Sequence, residues 1–209
     1  MHRNVALRNV RFNWLQVLEP SFFQKGDVGR YRAECIIEPD TEADKRLDDA
    51  VNSAAEDKWP GKAKGMLKVA VSGGKCCRKV GDDMPVNKKT FELPEHYAGN
   101  TVLSTSRVDD RDGPPRVFCK RISTGKLVEV TKDTVFDEDL IKPVPGSYGD
   151  VMVSIWGWEF GGSPQLNCTL DAIAFTGEGD ALGGRGAISD DTLAAGFCAE
   201  IEASENPFG

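Results

Sequence analysis

The sequence predicts an all-β domain with one or two helices, built as a small closed barrel with elaborated loops; a β-sandwich is the alternative. Three observations predict it. Short apolar runs alternate with period two along most of the chain. The 22 glycines and 11 prolines punctuate those runs at short intervals. The order is strand, strand, helix, then many strands, without the βαβ alternation of a doubly wound sheet and without an internal repeat.

The first strand starts with Val5 and Leu7, slips phase at Asn9, and resumes with Val10, Phe12 and Trp14. A one-residue slip is the sequence mark of a β-bulge. Phe12 and Trp14 share the phase of Val10 and are expected in the core. Glu19-Pro20 closes the segment. The second strand places Tyr31, Ala33, Cys35 and Ile37 on one face and Arg30, Arg32 and Glu34 on the other. A helix is expected over about residues 41–58, with Thr41 as N-cap, Asp44 three residues on, and Ala43, Leu47, Ala50, Val51 and Ala54 at helical spacing. Trp59-Pro60-Gly61 stops it. Leu67, Val69 and Val71 then alternate as a strand would, and residues 76–80 and 88–93 are expected as further strand pieces. Residues 101–108 read as a strand followed by a polar turn, Asp109 to Pro115. A hairpin is expected around Thr124-Gly125, and a longer one pairs residues 150–160 with Asn167–Phe175 across Gly161-Gly162.

The chain has 26 basic and 33 acidic residues, net −7, a balance that by itself argues against a polyanion ligand. Its distribution argues otherwise. Residues 58–89 hold nine cations (Lys58, Lys62, Lys64, Lys68, Lys75, Arg78, Lys79, Lys88, Lys89) against only Asp82 and Asp83. Arg116, Lys120 and Arg121 form a second basic group. The acids concentrate on the 41–58 helix and in residues 186–209, which carry five acids and no Lys or Arg. Local potential, not the net sum, attracts a polyanion.

The aromatic pattern points the same way. In the strand from Asp150 to Phe160, Val151, Val153 and Ile155 make a core face. The opposite face carries Met152, Ser154, Trp156, Trp158 and Phe160, large apolar groups where solvent is expected. They either cover a second core or form a platform on which bases stack. The candidate DNA contacts are therefore Arg32, Lys68, Lys75, Arg78, Lys79, Lys88, Lys89, Arg116, Lys120 and Arg121 for phosphates, with Trp156, Trp158 and Phe160 for bases.

Other chemistry is poorly supplied. The six cysteines include no C-x-x-C pair, there are two histidines, and no metal site or cofactor is expected. Free structural thiols in a reducing compartment are expected, since no apolar leader run is visible. The Gly-rich stretch 177–186 lacks the Lys-Ser/Thr of a phosphate loop. Asp109, Asp110 and Asp112 sit in an evident turn rather than a nuclease cluster, so no enzyme is expected. No run approaches the roughly 18 apolar residues of a membrane span.

Several short segments, in order, resemble a known family: Val10-Arg11-Phe12-Asn13-Trp14, Leu18-Glu19-Pro20, Arg30-Tyr31-Arg32-Ala33-Glu34, Pro39-Asp40, the acidic helix, Tyr148-Gly149-Asp150-Val151, Leu170-Asp171-Ala172-Ile173 and Asp180-Ala181-Leu182-Gly183-Gly184-Arg185. They are similar to the phage-encoded OB-fold single-stranded DNA-binding proteins, which are distantly similar to the ssDNA-binding proteins of short-tailed coliphage replisomes. The resemblance implies an OB barrel over residues 1–185, a C-terminal acidic tail over 186–209, and ssDNA binding with little sequence preference. It also implies work in phage replication or recombination in the cytoplasm of an infected bacterium. The tail would offer Glu200, Glu202, Glu205 and Phe208 to a phage DNA polymerase or helicase, or compete with DNA for the basic surface; a homodimer is compatible with it. The competing reading from a different class is a virion structural or assembly protein built on a β-sandwich.

Overall fold

A computed structural model describes residues 3–88 and 90–182. The elements are β1 (Arg3–Ser21), β2 (Arg30–Ile37), α1 (Glu42–Lys58), α2 (Ala63–Ser72), β3 (Arg78–Val80), β4 (Thr101–Val108), α3 (Asp109–Asp112), β5 (Arg116–Lys120), β6 (Leu127–Glu129), β7 (Tyr148–Phe160) and β8 (Ser163–Gly177). Among the described residues three α-helices are present rather than one or two, because α2 and the single turn α3 join the expected α1.

The phase slip at Asn9 is a bulge. Leu7 faces Val151 and Val10 faces Gly149, so β1 spends one extra residue there. Asn9 takes φ +53°, and its N–H donates to Asp150 Oδ1 at 3.0 Å. A second bulge follows between Asn13, facing Glu34, and Gln16, facing Arg32. Trp14 sits in it at φ +47° and is 63% exposed, whereas Phe12 is fully buried. The core expectation for Trp14 is therefore wrong. The extra residue moves the inward phase to Val17.

The α1 helix starts as expected, with Asp44 N–H donating to Thr41 Oγ1 at 3.3 Å. The returning bond goes from Asp40 N–H to Asp44 Oδ2, one residue earlier than in an ideal capping box. Ala43, Leu47, Ala50, Val51 and Ala54 are buried, and α1 packs on β1 and β7. Gly157 permits that approach: a Cβ there would stand 2.6 Å from Lys58 Cβ. Trp59 Nε1 ties the helix end to Glu159 Oε2 at 3.0 Å.

Residues 67–71 are helical, not a strand. Ala63, Met66, Leu67 and Ala70 recur at i, i+3, i+4 and i+7, and the face they form is in the core or packs on it. Val69 and Val71, whose alternation suggested a strand, are about half exposed. Tertiary burial overrides their β-propensity. Among the described residues of 88–93 none is in a strand, and Phe91 N–H donates to Asn87 O at 2.8 Å.

The strands form one sheet in the order β3-β4-β2-β1-β7-β8-β5-β6. All pairs are antiparallel except β5 with β8. The sheet does not close on itself by a continuous ladder. It curls until β4 lies beside β8, and the segment leading into β3 spans the gap. Leu166 N–H donates to Lys75 O (2.9 Å), Cys77 N–H to Leu166 O (2.8 Å) and Ser104 N–H to Cys77 O (2.9 Å). The mostly-β, OB-like fold expected from sequence is thus present, but the sheet is not a closed barrel: β4 and β8 do not pair and meet at a bridged seam.

Inside lie Leu7, Val10, Phe12, Cys35, Leu103, Val153, Ile155, Leu170 and Phe175, among others. Each large aliphatic buried there contributes about 1.5–3 kcal/mol relative to exposure. Phe12 and Phe175 meet edge to face at 5.1 Å. The five described cysteines are buried and unbridged. Burial pushes the Cys35 thiol well up and the Cys119 thiol up to about 11, so both stay protonated packing groups. No helix among the described residues is long and apolar enough to cross a membrane.

Candidate nucleic-acid interface

The alternation of β7 sets the site. Val151, Val153 and Ile155 point inward and are buried. Their neighbours therefore point outward: Met152 and Trp158 are each 49% exposed, and Phe160, near the β7–β8 turn, is 73% exposed. The second-core reading of this face does not hold, since Met152, Trp158 and Phe160 remain open. Trp156 Nε1 donates to Thr169 Oγ1 at 3.1 Å, which fixes its indole over β8. The Trp156 and Trp158 rings meet edge to face, 6.4 Å apart.

Beside this face runs the seam. A cleft of about 570 Å³ is lined by Trp156, Trp158, Arg107, Arg111, Thr169 and Asp171, together with Asp112 and Ser154. A second cleft of about 350 Å³ holds Lys75, Lys79, Ser104, Ser106, Gln165 and Asn167 over a floor that includes Cys76, Cys77 and Cys168. The two adjoin along β8, where Asn167 lines one and Thr169 the other. Together they make a furrow with indoles near one end and lysines near the other. Arg32 flanks it, since it lies opposite Ser106 in the β2–β4 ladder.

Arg107 holds the seam. Its guanidinium donates to Leu170 O (3.2 Å) and Asp171 Oδ1 (3.0 Å) on β8, and to Asp112 O (2.6 Å) and Gly113 O (2.9 Å) at the end of α3. Asp171 also takes a short hydrogen bond from Ser154 of β7. Four of the five N–H donors of Arg107 are taken by these acceptors, so its role is to lock β4, α3 and β8 together. Arg111 differs. It is bidentate to its neighbour Asp112 (2.9 and 2.8 Å) yet its side chain is 62% exposed. That pair holds the Asp112 carboxyl below the usual carboxylate range.

The other candidate cations do not converge on the furrow. Arg78 Nη2 reaches Asp44 at 3.3 Å, and its Nε lies 2.9 Å from Asp48, a distance for ion pairing but without hydrogen-bond alignment. Arg116 is bidentate to Glu129 (2.9 and 2.8 Å) and stacks on Phe118 at 4.9 Å. Arg121 bonds Asp137 and Asp139, each at 3.1 Å. Lys120 is half-buried on β5, near that same group. Lys68 lies exposed on α2 and Lys88 exposed in the 84–100 loop region. Lys89 and the tail residues Glu200, Glu202, Glu205 and Phe208 lie outside the described residues.

Sequence reasoning missed Arg107, which lies in the strand expected over 101–108, and Arg111, which lies in the segment read as a turn. It also missed five exposed aromatics: Trp14, Phe91, Phe136, and Phe22 and Phe23 in the β1–β2 loop, the last 86% exposed. The Phe22-Phe23 pair beside Gln24-Lys25-Gly26 was a legible signal, because adjacent aromatics in a turn cannot both be buried by alternation.

A family model described as the Enterobacter phage Enc34 ssDNA-binding protein matches residues 3–202. The chain belongs to this family. Solved structures of the Enc34 protein agree with the fold. The protein in complex with ssDNA is 15% identical, with a TM-score of 0.62 over 87% of this chain and 90% of that one. A second structure of the single-stranded DNA-binding protein from bacteriophage Enc34 is 18% identical, with a TM-score of 0.60 over 91% of this chain and 89% of that one. Bacteriophage T7 gp2.5, a single-stranded DNA-binding protein, covers 100% of this chain and 99% of its own at 11% identity, but its TM-score of 0.45 is too low to carry weight. None of the curated proteins matches the sequence. For this member of the Enc34 family, the furrow at the barrel seam is the surface where exposed aromatics and lysines meet.

Proposed function

We propose that this chain is a non-enzymatic phage protein that binds single-stranded DNA in the seam furrow with little sequence preference. One observation carries the reading: the cleft of Trp156, Trp158 and Arg111 and the cleft of Lys75 and Lys79 are neighbours on the same face of β8, with Arg32 opposite Ser106 of the second. Indoles stack on any base, and lysines follow phosphates without reading sequence. The exposed Phe160 of the β7–β8 hairpin and Phe22 and Phe23 of the β1–β2 loop occupy the two loops that flank the binding face of OB barrels. The relative from phage Enc34, solved in complex with ssDNA, supports the same ligand.

Titration with oligo(dT) at several salt concentrations tests it. Tryptophan fluorescence is quenched, and log affinity falls with log salt by about 0.7 per phosphate contacted. No quenching and no retarded band at low salt would rule the reading out.

The biological setting that fits is phage replication or recombination in the cytoplasm of an infected cell. The acidic end, with Glu200, Glu202, Glu205 and Phe208, acts there as a contact for a phage polymerase or helicase and as a competitor for the furrow. Removing residues 199–209 then tightens oligo(dT) binding at low salt, with the gain fading as salt rises. Unchanged affinity would discard the competition.

A further inference from the structure

A second concave surface lies away from the furrow. β1 pairs with β7 only as far as Arg11, which faces Tyr148. Beyond it, β1 continues to Ser21 with β2 on one side. Its other edge looks across a groove of about 650 Å³ at the segment 132–143. Leu15, Val17, Leu18, Val135, Phe136 and Pro143 make it largely apolar, and Phe136 is 78% exposed. Among the described residues, no backbone hydrogen bond crosses from 15–20 to 132–143. An open strand edge beside apolar pockets is the geometry that takes an added strand.

The chain's own course supplies an occupant. Past Gly177, opposite Tyr148, it runs back along 148–145. Gly146 and Asp180 are so close that a Cβ on Gly146 would stand 2.1 Å from Asp180 O. Arg11 Nη2 donates to Asp180 O at 2.9 Å, and Leu182 N–H donates to Pro145 O at 3.1 Å. Pro143, two residues further in the same direction, is a wall of the groove. Leu182, the last described residue, is thus bonded two residues from that wall, and residues 183–209 follow it in sequence. Eleven residues from Leu182 to Leu193 can span up to about 36 Å, more than enough to enter it. Within them, Leu193, Ala195 and Phe197 alternate with Ala194 and Gly196, an apolar face of period two.

We propose that residues 192–198 of this chain add as a strand to the open edge of β1 and seat Leu193 and Phe197 in the groove of Leu15, Leu18 and Phe136. The site is independent of DNA. It would anchor the C-terminal segment on the barrel and leave the acidic end beyond it free.

Amide hydrogen exchange on the full chain tests this without any nucleic acid. Amides of 15–21 and of 192–198 are slowed together, by about ten-fold or more over free-peptide rates. Phe197→Asp releases both segments and leaves β4 and β7 protected. Phe136→Ser, on an already exposed wall, weakens protection of both. Free-peptide exchange of 192–198 in the parent chain would overturn the proposal. So would Phe197→Asp or Phe136→Ser leaving 15–21 unchanged. Protection that vanishes on about ten-fold dilution would assign the strand to a second copy and overturn the intramolecular site. Because the readout contains no DNA, the ssDNA reading and this one stand or fall separately.

Discussion

The seam furrow and the β5–β6 hairpin are both basic in sequence, and the protein uses their cations differently. On the hairpin side, Arg116 is clamped by Glu129 and stacked on Phe118, and Arg121 is held by Asp137 and Asp139. In the furrow, Lys79 has no carboxylate within ion-pair distance among the described residues, and Lys75 meets only the hydroxyl of Ser163 at 3.0 Å. A cation already bonded to carboxylates has less to offer a phosphate. A lysine without a carboxylate partner has its charge available. Counting basic residues cannot separate these cases; partners do.

Substitutions can sharpen or break this contrast. The largest effect on binding is expected from Trp158→Ala. Loss of one stacked base costs about 1–3 kcal/mol, roughly 5-fold to over 100-fold in Kd for oligo(dT). Arg116→Ala leaves Kd nearly unchanged in the same titration. Equal losses from both would erase the distinction. Next comes Arg107→Ala, which opens the seam rather than removing a DNA contact. It lowers stability by about 2 kcal/mol, because Asp171 and three carbonyls lose a charged donor. A fall in the urea midpoint, with binding lost in proportion to unfolding, is the expected result. The smallest effects belong to single lysines. Lys75→Ala and Lys79→Ala each reduce the salt slope by about 0.7. Arg121→Ala leaves the slope unchanged, and a matching reduction there would show that ion-paired arginines reach phosphates too.

Much of the frame was legible in the residues. The strands of 30–37, 101–108 and 148–177 follow their period-two patterns, and the bulge at Asn9 follows its phase slip. The outward aromatic face of β7 was legible for the same reason, since one buried face of a strand dictates the other. The second bulge was not. Trp14 continued the apolar alternation, and only the pairing with β2 shows the extra residue that turns it out. The α2 segment misled because Leu67-Lys68-Val69-Ala70-Val71 satisfies both periods.

By itself, then, the sequence determined the local order: which stretches extend, where α1 starts and stops, and which face of each strand is apolar. These follow from steric preference and from the alternation of side chains, both properties of neighbouring residues. Only the tertiary structure decided that α2 is a helix, that Trp14 faces solvent, and that Arg107 locks a seam between β4 and β8. It alone showed which cations carboxylates already hold. Each of those depends on residues dozens of positions apart meeting across the barrel, and no spacing along the chain encodes that distance.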